Sequence, residues 1–201
     1  MKPQIVGAVI LPAILCGICL VVHNGHASGN ISSCDTIVLS SPRGNGVSYK
    51  GTIDTDYLTA VIPPGLTGWG AGPGAPFHGF IIYFENDDKQ QSCIRLHVGI
   101  VVDLPEDEET KSANFESMAS RGRKVKIGNK VGYETSERGI RDGVNIDNIS
   151  TVLQFDRHFI GKGGKTVSYT VGVGVLLVTP TKDRHSTEPV FRMFLSQLNF
   201  Q

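Results

Sequence analysis

The stretch Ser92-Cys93-Ile94-Arg95-Leu96-His97-Val98-Gly99-Ile100-Val101-Val102 decides the fold class. Ile94, Leu96, Val98 and Ile100 fall on every second position, with Cys93, Arg95 and His97 between them. A period of two puts alternate side chains on opposite faces of a strand. The segment therefore reads as a strand whose aliphatic face meets a core while Cys93, Arg95 and His97 point the other way.

The same signal extends in both directions. Phe80-Ile81-Ile82-Tyr83-Phe84 is too continuously apolar for an exposed strand and predicts a central one. Residues 47–62 predict a strand pair or one long bent strand, closed by Pro63-Pro64-Gly65, where the prolines cannot donate to a ladder. From Gly65 to Gly79 there are six glycines and two prolines, which predicts a long irregular loop pinned to the body by Trp69 and Phe77. Downstream, residues 125–134 predict a short strand turning at Gly128-Asn129. Residues 151–160 and 166–178 predict a hairpin around Gly161-Lys162-Gly163-Gly164. Along 166–178, Val167, Tyr169, Val171, Val173 and Val175 share one face. Thr166, Ser168, Thr170, Gly172 and Gly174 share the other, a bare surface over which one of the domain's own helices is expected to lie.

Two helices are expected. Residues 105–120 open with Glu106, Asp107, Glu108 and Glu109 and are followed by Arg121, Arg123 and Lys124, an order that suits the helix dipole. Their apolar stripe is thin (Phe115, Met118, Ala119). Near the end, Thr187 is the expected N-cap and Pro189 a first-turn residue. Val190, Phe191, Phe194, Leu195 and Leu198 recur at helical spacing as far as Phe200. The fold class is α+β: an antiparallel sheet of five to seven strands with one or two packed helices, in a single domain over residues 28–201.

Residues 1–27 predict a cleavable signal peptide: Lys2, an uncharged apolar run from Ile5 to Val22, and small residues Gly25 and Ala27 before the expected cut. A retained anchor is the competing reading, but no Lys/Arg cluster follows as a stop-transfer signal. Cleavage removes Lys2, His23, His26, Cys16 and Cys19. It leaves 18 Lys+Arg against 19 Asp+Glu, a near-neutral domain with no electrostatic drive toward nucleic acid. The expected localisation is periplasmic or secreted, with no membrane span after cleavage. In an oxidising compartment the remaining pair, Cys34 and Cys93, most simply forms a disulfide.

Two stretches carry a family resemblance. Tyr57-Leu58-Thr59-Ala60-Val61-Ile62-Pro63-Pro64-Gly65 resembles the opening strand of the PsbP-like α/β sandwich. The tail from Thr179-Pro180-Thr181-Lys182-Asp183 to residues 189–200 resembles its closing helix. That family occurs among exported bacterial proteins and some toxin-immunity proteins. It shares no catalytic residues, so the resemblance implies a protein that binds something.

No motif declares a reaction. The glycines between Gly68 and Gly79 are spaced like a dinucleotide loop, but a strand follows where a phosphate cradle needs a helix N-terminus. There is no His-Glu-x-x-His, Cys-x-x-Cys or Gly-x-Ser-x-Gly. No cofactor or metal is expected. An envelope hydrolase would have to use His78 or the Asp156/His158 pair, and a surface or assembly subunit would use the smooth strand face. The leading expectation is an exported, non-enzymatic protein-binding protein, with an immunity-type inhibitor of a secreted toxin as its narrower form. Its expected binding residues are Trp69, Phe77 and His78 in the glycine-rich loop, with Glu108 and Glu109 in the acidic run as a second surface.

Overall fold

The computed structural model describes residues 34, 47–70, 77–84, 92–101, 108–161 and 163–201. The expected signal peptide and its cleavage site lie outside these residues. In chain order the elements are β1 (Val47–Tyr49), β2 (Thr52–Asp54), β3 (Leu58–Val61), β4 (Leu66–Gly70), β5 (Phe77–Phe84) and β6 (Cys93–Ile100). Next come α1 (Glu108–Arg121), β7 (Arg123–Ile127), β8 (Lys130–Arg141), β9 (Val144–Ile160) and β10 (Thr166–Pro180). A 3-10 turn (Thr181–Asp183) leads into α2 (Arg184–Ser196), and β11 (Asn199–Phe200) follows.

Among the described residues all strand pairing is antiparallel. The main sheet runs β1-β4-β5-β6-β10-β9-β8-β7, and a small second sheet runs β11-β3-β2. The α+β class stands as expected. The main sheet holds eight strands because Leu66–Gly70, inside the expected glycine loop, is a strand paired with β5. A further hairpin joins β8 to β9 through Asp142 and Gly143, both at positive φ (48° and 77°). A two-residue turn of that hand matches the twist of the flanking strands.

The alternation in β6 sorts its side chains as expected. Ile94, Leu96 and Val98 join Phe80 and Ile82 of β5, Val171, Val173, Val175 and Leu177 of β10, and Ile149 and Leu153 of β9 in the main core. α2 closes this core with Phe191, Phe194 and Leu195, and the small sheet adds Ile53, Leu58, Ala60 and Phe200. Each such side chain contributes about 1.5–3 kcal/mol by leaving water. The opposite face is also covered. Cys34, Ile81, Tyr83, Cys93, Ile146 and Val178 form a second cluster, and the Cys34–Cys93 disulfide lies within it. On that same face α1 lies over β8 and β9, with Met118 buried and Phe115 edge-on to Tyr133 at 5.8 Å.

Three expectations are corrected. α2 starts at Arg184, so Thr187 is buried inside the helix rather than capping it, and Pro189 is interior. The Thr187 hydroxyl donates to the Asp183 carbonyl (3.1 Å) and to Thr179 Oγ1 (3.0 Å), tying the helix to the end of β10. Residues 199–200 leave the helix because they pair with β3. Lastly, among the described residues no helix spans the bare face of β10: Gly172 approaches the Val101 side chain, and no described atom lies within 4 Å of where a Gly174 Cβ would stand.

The β7–β8 turn needs its glycine. Gly128 has φ +56°, donates to the Leu195 carbonyl at 2.9 Å, and a Cβ there would collide with the Leu198 carbonyl oxygen. Gly128→Ala is therefore expected to cost more than about 1 kcal/mol, since strain and collision act together. Urea denaturation would measure it, and an unchanged midpoint would refute it.

Candidate functional site: a projecting hairpin arm

β9 and β10 are the two longest strands, 17 and 15 residues. Pairing with β8 begins at Val152, and pairing with β6 reaches only Val171. Beyond these points the hairpin continues from Asp156↔Thr170 to Ile160↔Thr166 as a two-stranded ribbon. Five residue pairs at the usual rise give an arm of about 17 Å.

Its side chains are unusual for a water-exposed ribbon. Phe159 is 50% exposed, Ile160 79% and Val167 42%. Phe159 meets Tyr169 edge-to-face at 5.9 Å, which fixes the aromatic pair in place. On the other face the strands are cross-braced: Thr170 Oγ1 donates to Asp156 Oδ1 (2.7 Å), and His158 Nδ1 is 2.8 Å from Ser168 Oγ. Arg157 donates to the Asp56 carbonyl, anchoring the arm to the turn between β2 and β3. At the tip, Gly163 and Gly164 adopt positive φ (89° and 75°), and Gly161 N donates to the Lys165 carbonyl at 2.8 Å. Arg157, Lys162 and Lys165 are basic, and no Asp or Glu occurs between Asp156 and Asp183.

The residues expected to carry function are dispersed. Trp69 does not pin a loop. It is 39% exposed on β4, in register with Ile81 and Ser48. Phe77 and His78 open β5 and Glu108 and Glu109 open α1; the side chains of these four lie outside the described residues. Asp156 and His158 each bond across the hairpin. The His158–Ser168 contact sits on an exposed ribbon face, open to water. Among the described residues no group of three or more His, Cys, Asp or Glu is placed to hold a metal ion, and no helix is long and apolar enough to cross a membrane.

A second constellation, unseen in the sequence, ties α2 to β7, β8 and β9. Glu134 on β8, 4% exposed, accepts from Arg192 of α2 and from Arg123 of β7 (Nη2, 2.7 Å). Asp147 on β9, 1% exposed, accepts from Arg138 Nε at 2.7 Å and stands 3.5 Å from Arg184 Nη1. Glu188 bridges the two halves through Arg184 (2.8 Å) and Arg192 (2.6 Å). Burial pushes the Glu134, Asp147 and Glu188 carboxyls up, but the arginine hydrogen bonds outweigh it and hold all three below the ordinary range. Every carboxylate here is spoken for, so the network is a clamp rather than a reactive centre.

No family model matches the chain, and no curated protein matches it in sequence. Among solved structures, a crystal structure from Bacteroides thetaiotaomicron VPI-5482 is similar at a TM-score of 0.42 and 13% identity, over 78% of this chain and 48% of that one. This chain thus spans about half the length of that protein. The solution structure of cyanobacterial PsbP (CyanoP) from Synechocystis sp. PCC 6803 is similar at a TM-score of 0.32 and 10% identity, over 90% of this chain and 99% of that one. The PsbP-like resemblance is present and weak, and neither likeness carries a functional inference.

Proposed function

We propose that this is an exported, non-enzymatic protein-binding protein whose docking element is the β9–β10 arm. The observation that carries the reading is the exposure of Phe159, Ile160 and Val167 together on a braced ribbon. Apolar side chains held in place by cross-strand bonds lose little conformational entropy when a partner covers them. Aromatic and aliphatic anchors of this kind dominate interface energies. The buried Cys34–Cys93 bridge supports an oxidising, extracytoplasmic setting. An immunity-type inhibitor of a secreted toxin is the narrower form of the proposal: a basic, apolar-tipped arm is suited to a concave site with acidic walls.

The test is site-specific photo-crosslinking from position 165 in envelope extract of the source cell, with Ile160→Asp and Phe159→Ser introduced separately. Capture of one stoichiometric protein, reduced at least about tenfold by either substitution, supports the proposal. Capture that survives both substitutions overturns it. If the crosslinked species is a second copy of this chain, the arm is an assembly contact and the inhibitor form fails. Trp69→Ala serves as a comparison, since Trp69 lies on β4, away from the ribbon.

A further inference from the structure

Arg123, Arg138, Arg184 and Arg192 each meet a carboxylate that is largely buried. Arg95, in the middle of β6, is itself 9% exposed, and its Nε has no hydrogen-bond partner. Burial lowers its pKa, and the group favouring its charge is the Tyr83 phenol, whose hydroxyl donates to the Cys34 carbonyl at 3.1 Å. A guanidinium nitrogen buried without a partner is costly. A buried polar group left unpaired in a folded protein calls for an explanation, and a ligand is one that the surroundings favour.

Those surroundings are bare on one side. Arg95 is flanked in register by Ile81 of β5 and Leu176 of β10. The next residue on its face, His97, is flanked by Gly79 and Gly174, and beyond these Gly99 pairs with Gly172. Gly79, Gly174, Gly99 and Gly172 thus place glycine backbone around His97, and among the described residues no atom lies within 4 Å of a Cβ built on Gly174. Burial, then the nearby Arg95 charge, lowers the His97 pKa to about 4. At neutral pH its imidazole is uncharged and can donate from one nitrogen while accepting at the other. Among the described residues the strip therefore presents one positive charge and open space beside Gly174.

We infer that Arg95 anchors a binding site for a small monocarboxylate, which lies over the Gly79–Gly174 strip beside the partly buried Leu176. One guanidinium matches one carboxylate, and its planar fork suits bidentate pairing. A dianion such as phosphate would leave a surplus negative charge in the same buried place.

Calorimetric titration of the purified, disulfide-bonded protein with acetate, benzoate and inorganic phosphate tests this. Benzoate is expected to bind more tightly than acetate, and phosphate more weakly than both. Arg95→Gln is expected to weaken benzoate at least about tenfold, the usual scale for a charge-assisted hydrogen bond. It should leave the unliganded melting temperature unchanged or raised, because a buried charge is removed. Gly174→Val fills the open space at an ordinary strand φ; it should weaken benzoate by a similar factor without lowering the unliganded melting temperature. Benzoate binding equal in all three proteins overturns the inference, and so does phosphate binding in preference to the carboxylates. A marked fall in melting temperature for unliganded Arg95→Gln also overturns it, since Arg95 would then be stabilised within the fold itself.

Discussion

Removing the Cys34–Cys93 bridge is expected to lower the unfolding free energy by about 4 kcal/mol, or about 10 °C in melting temperature. The two cysteines are 59 positions apart, so the cross-link closes a long loop and restricts the unfolded chain accordingly. Both are buried, 3% and 0% exposed, against Ile81, Tyr83, Ile146 and Val178. The bridge thus fastens residue 34 onto the sheet face opposite the main core. The check is urea denaturation of oxidised protein, reduced protein and the Cys34→Ala/Cys93→Ala double variant. The last two should agree, and both should fall well below the first. Coincident curves for all three would show that the bridge adds nothing to stability.

The second large effect is at Glu134. Glu134→Ala strands Arg192 and Arg123 opposite each other and leaves Thr151 Oγ1 without its acceptor. Breaking a buried pair costs about 3–5 kcal/mol. The lower end applies here, because the Arg123 and Arg192 side chains are 67% and 31% exposed and can turn toward water. The network also sets the acid limb of stability. The folded-state pKa values of Glu134, Asp147 and Glu188 are depressed. Their contribution is therefore complete above the ordinary carboxylate pKa of about 4.3 and is lost as pH falls through the lower folded values. Glu134→Gln should flatten that acid limb while preserving shape. A pH titration of the urea midpoint from neutral to pH 2 would show it, and an acid limb as steep as the parent's would count against the assignment.

Much of the sheet was legible because side-chain alternation is local. Ile94, Leu96 and Val98 on one face, and Val171, Val173 and Val175 on one face, could be read from spacing alone, whereas the Cys34–Cys93 pairing followed from the expected oxidising compartment and the two cysteines left after cleavage. The β8–β9 hairpin also had a local signal, Asp142-Gly143, which reads as a two-residue turn once it is weighed. Tertiary contacts overrode local rules elsewhere. Thr187 has the chemistry of an N-cap, yet its hydroxyl serves Thr179 and Asp183 from inside the helix. The glycine-rich stretch looked structureless, but Gly68 and Gly70 sit in a strand paired with β5, where the Phe80 ring fills the space that a side chain at Gly70 would take. The clamp had no sequence signature, since Glu134 and Arg192 lie 58 positions apart. The candidate site was legible in part. The hairpin was evident, and so was its glycine tip. That it outruns its neighbours, and so exposes Phe159 and Ile160, depends on where β6 and β8 stop.

The small sheet has a consequence for the order in which the molecule can form. Its middle strand, β3, pairs with β11 through Thr59↔Asn199 and Leu58↔Phe200, and Gln201 N donates to the Tyr57 carbonyl at 3.0 Å. Phe200 then meets Phe155 at 5.4 Å, so this late contact also seats the root of the arm. A chain that emerges from its N-terminal end cannot make these contacts until residue 200 has appeared. Until then Ile53, Leu58 and Ala60 lack their cover, and contacts of such long sequence separation are slow to close. The small sheet is thereby completed only after residue 200 has been made.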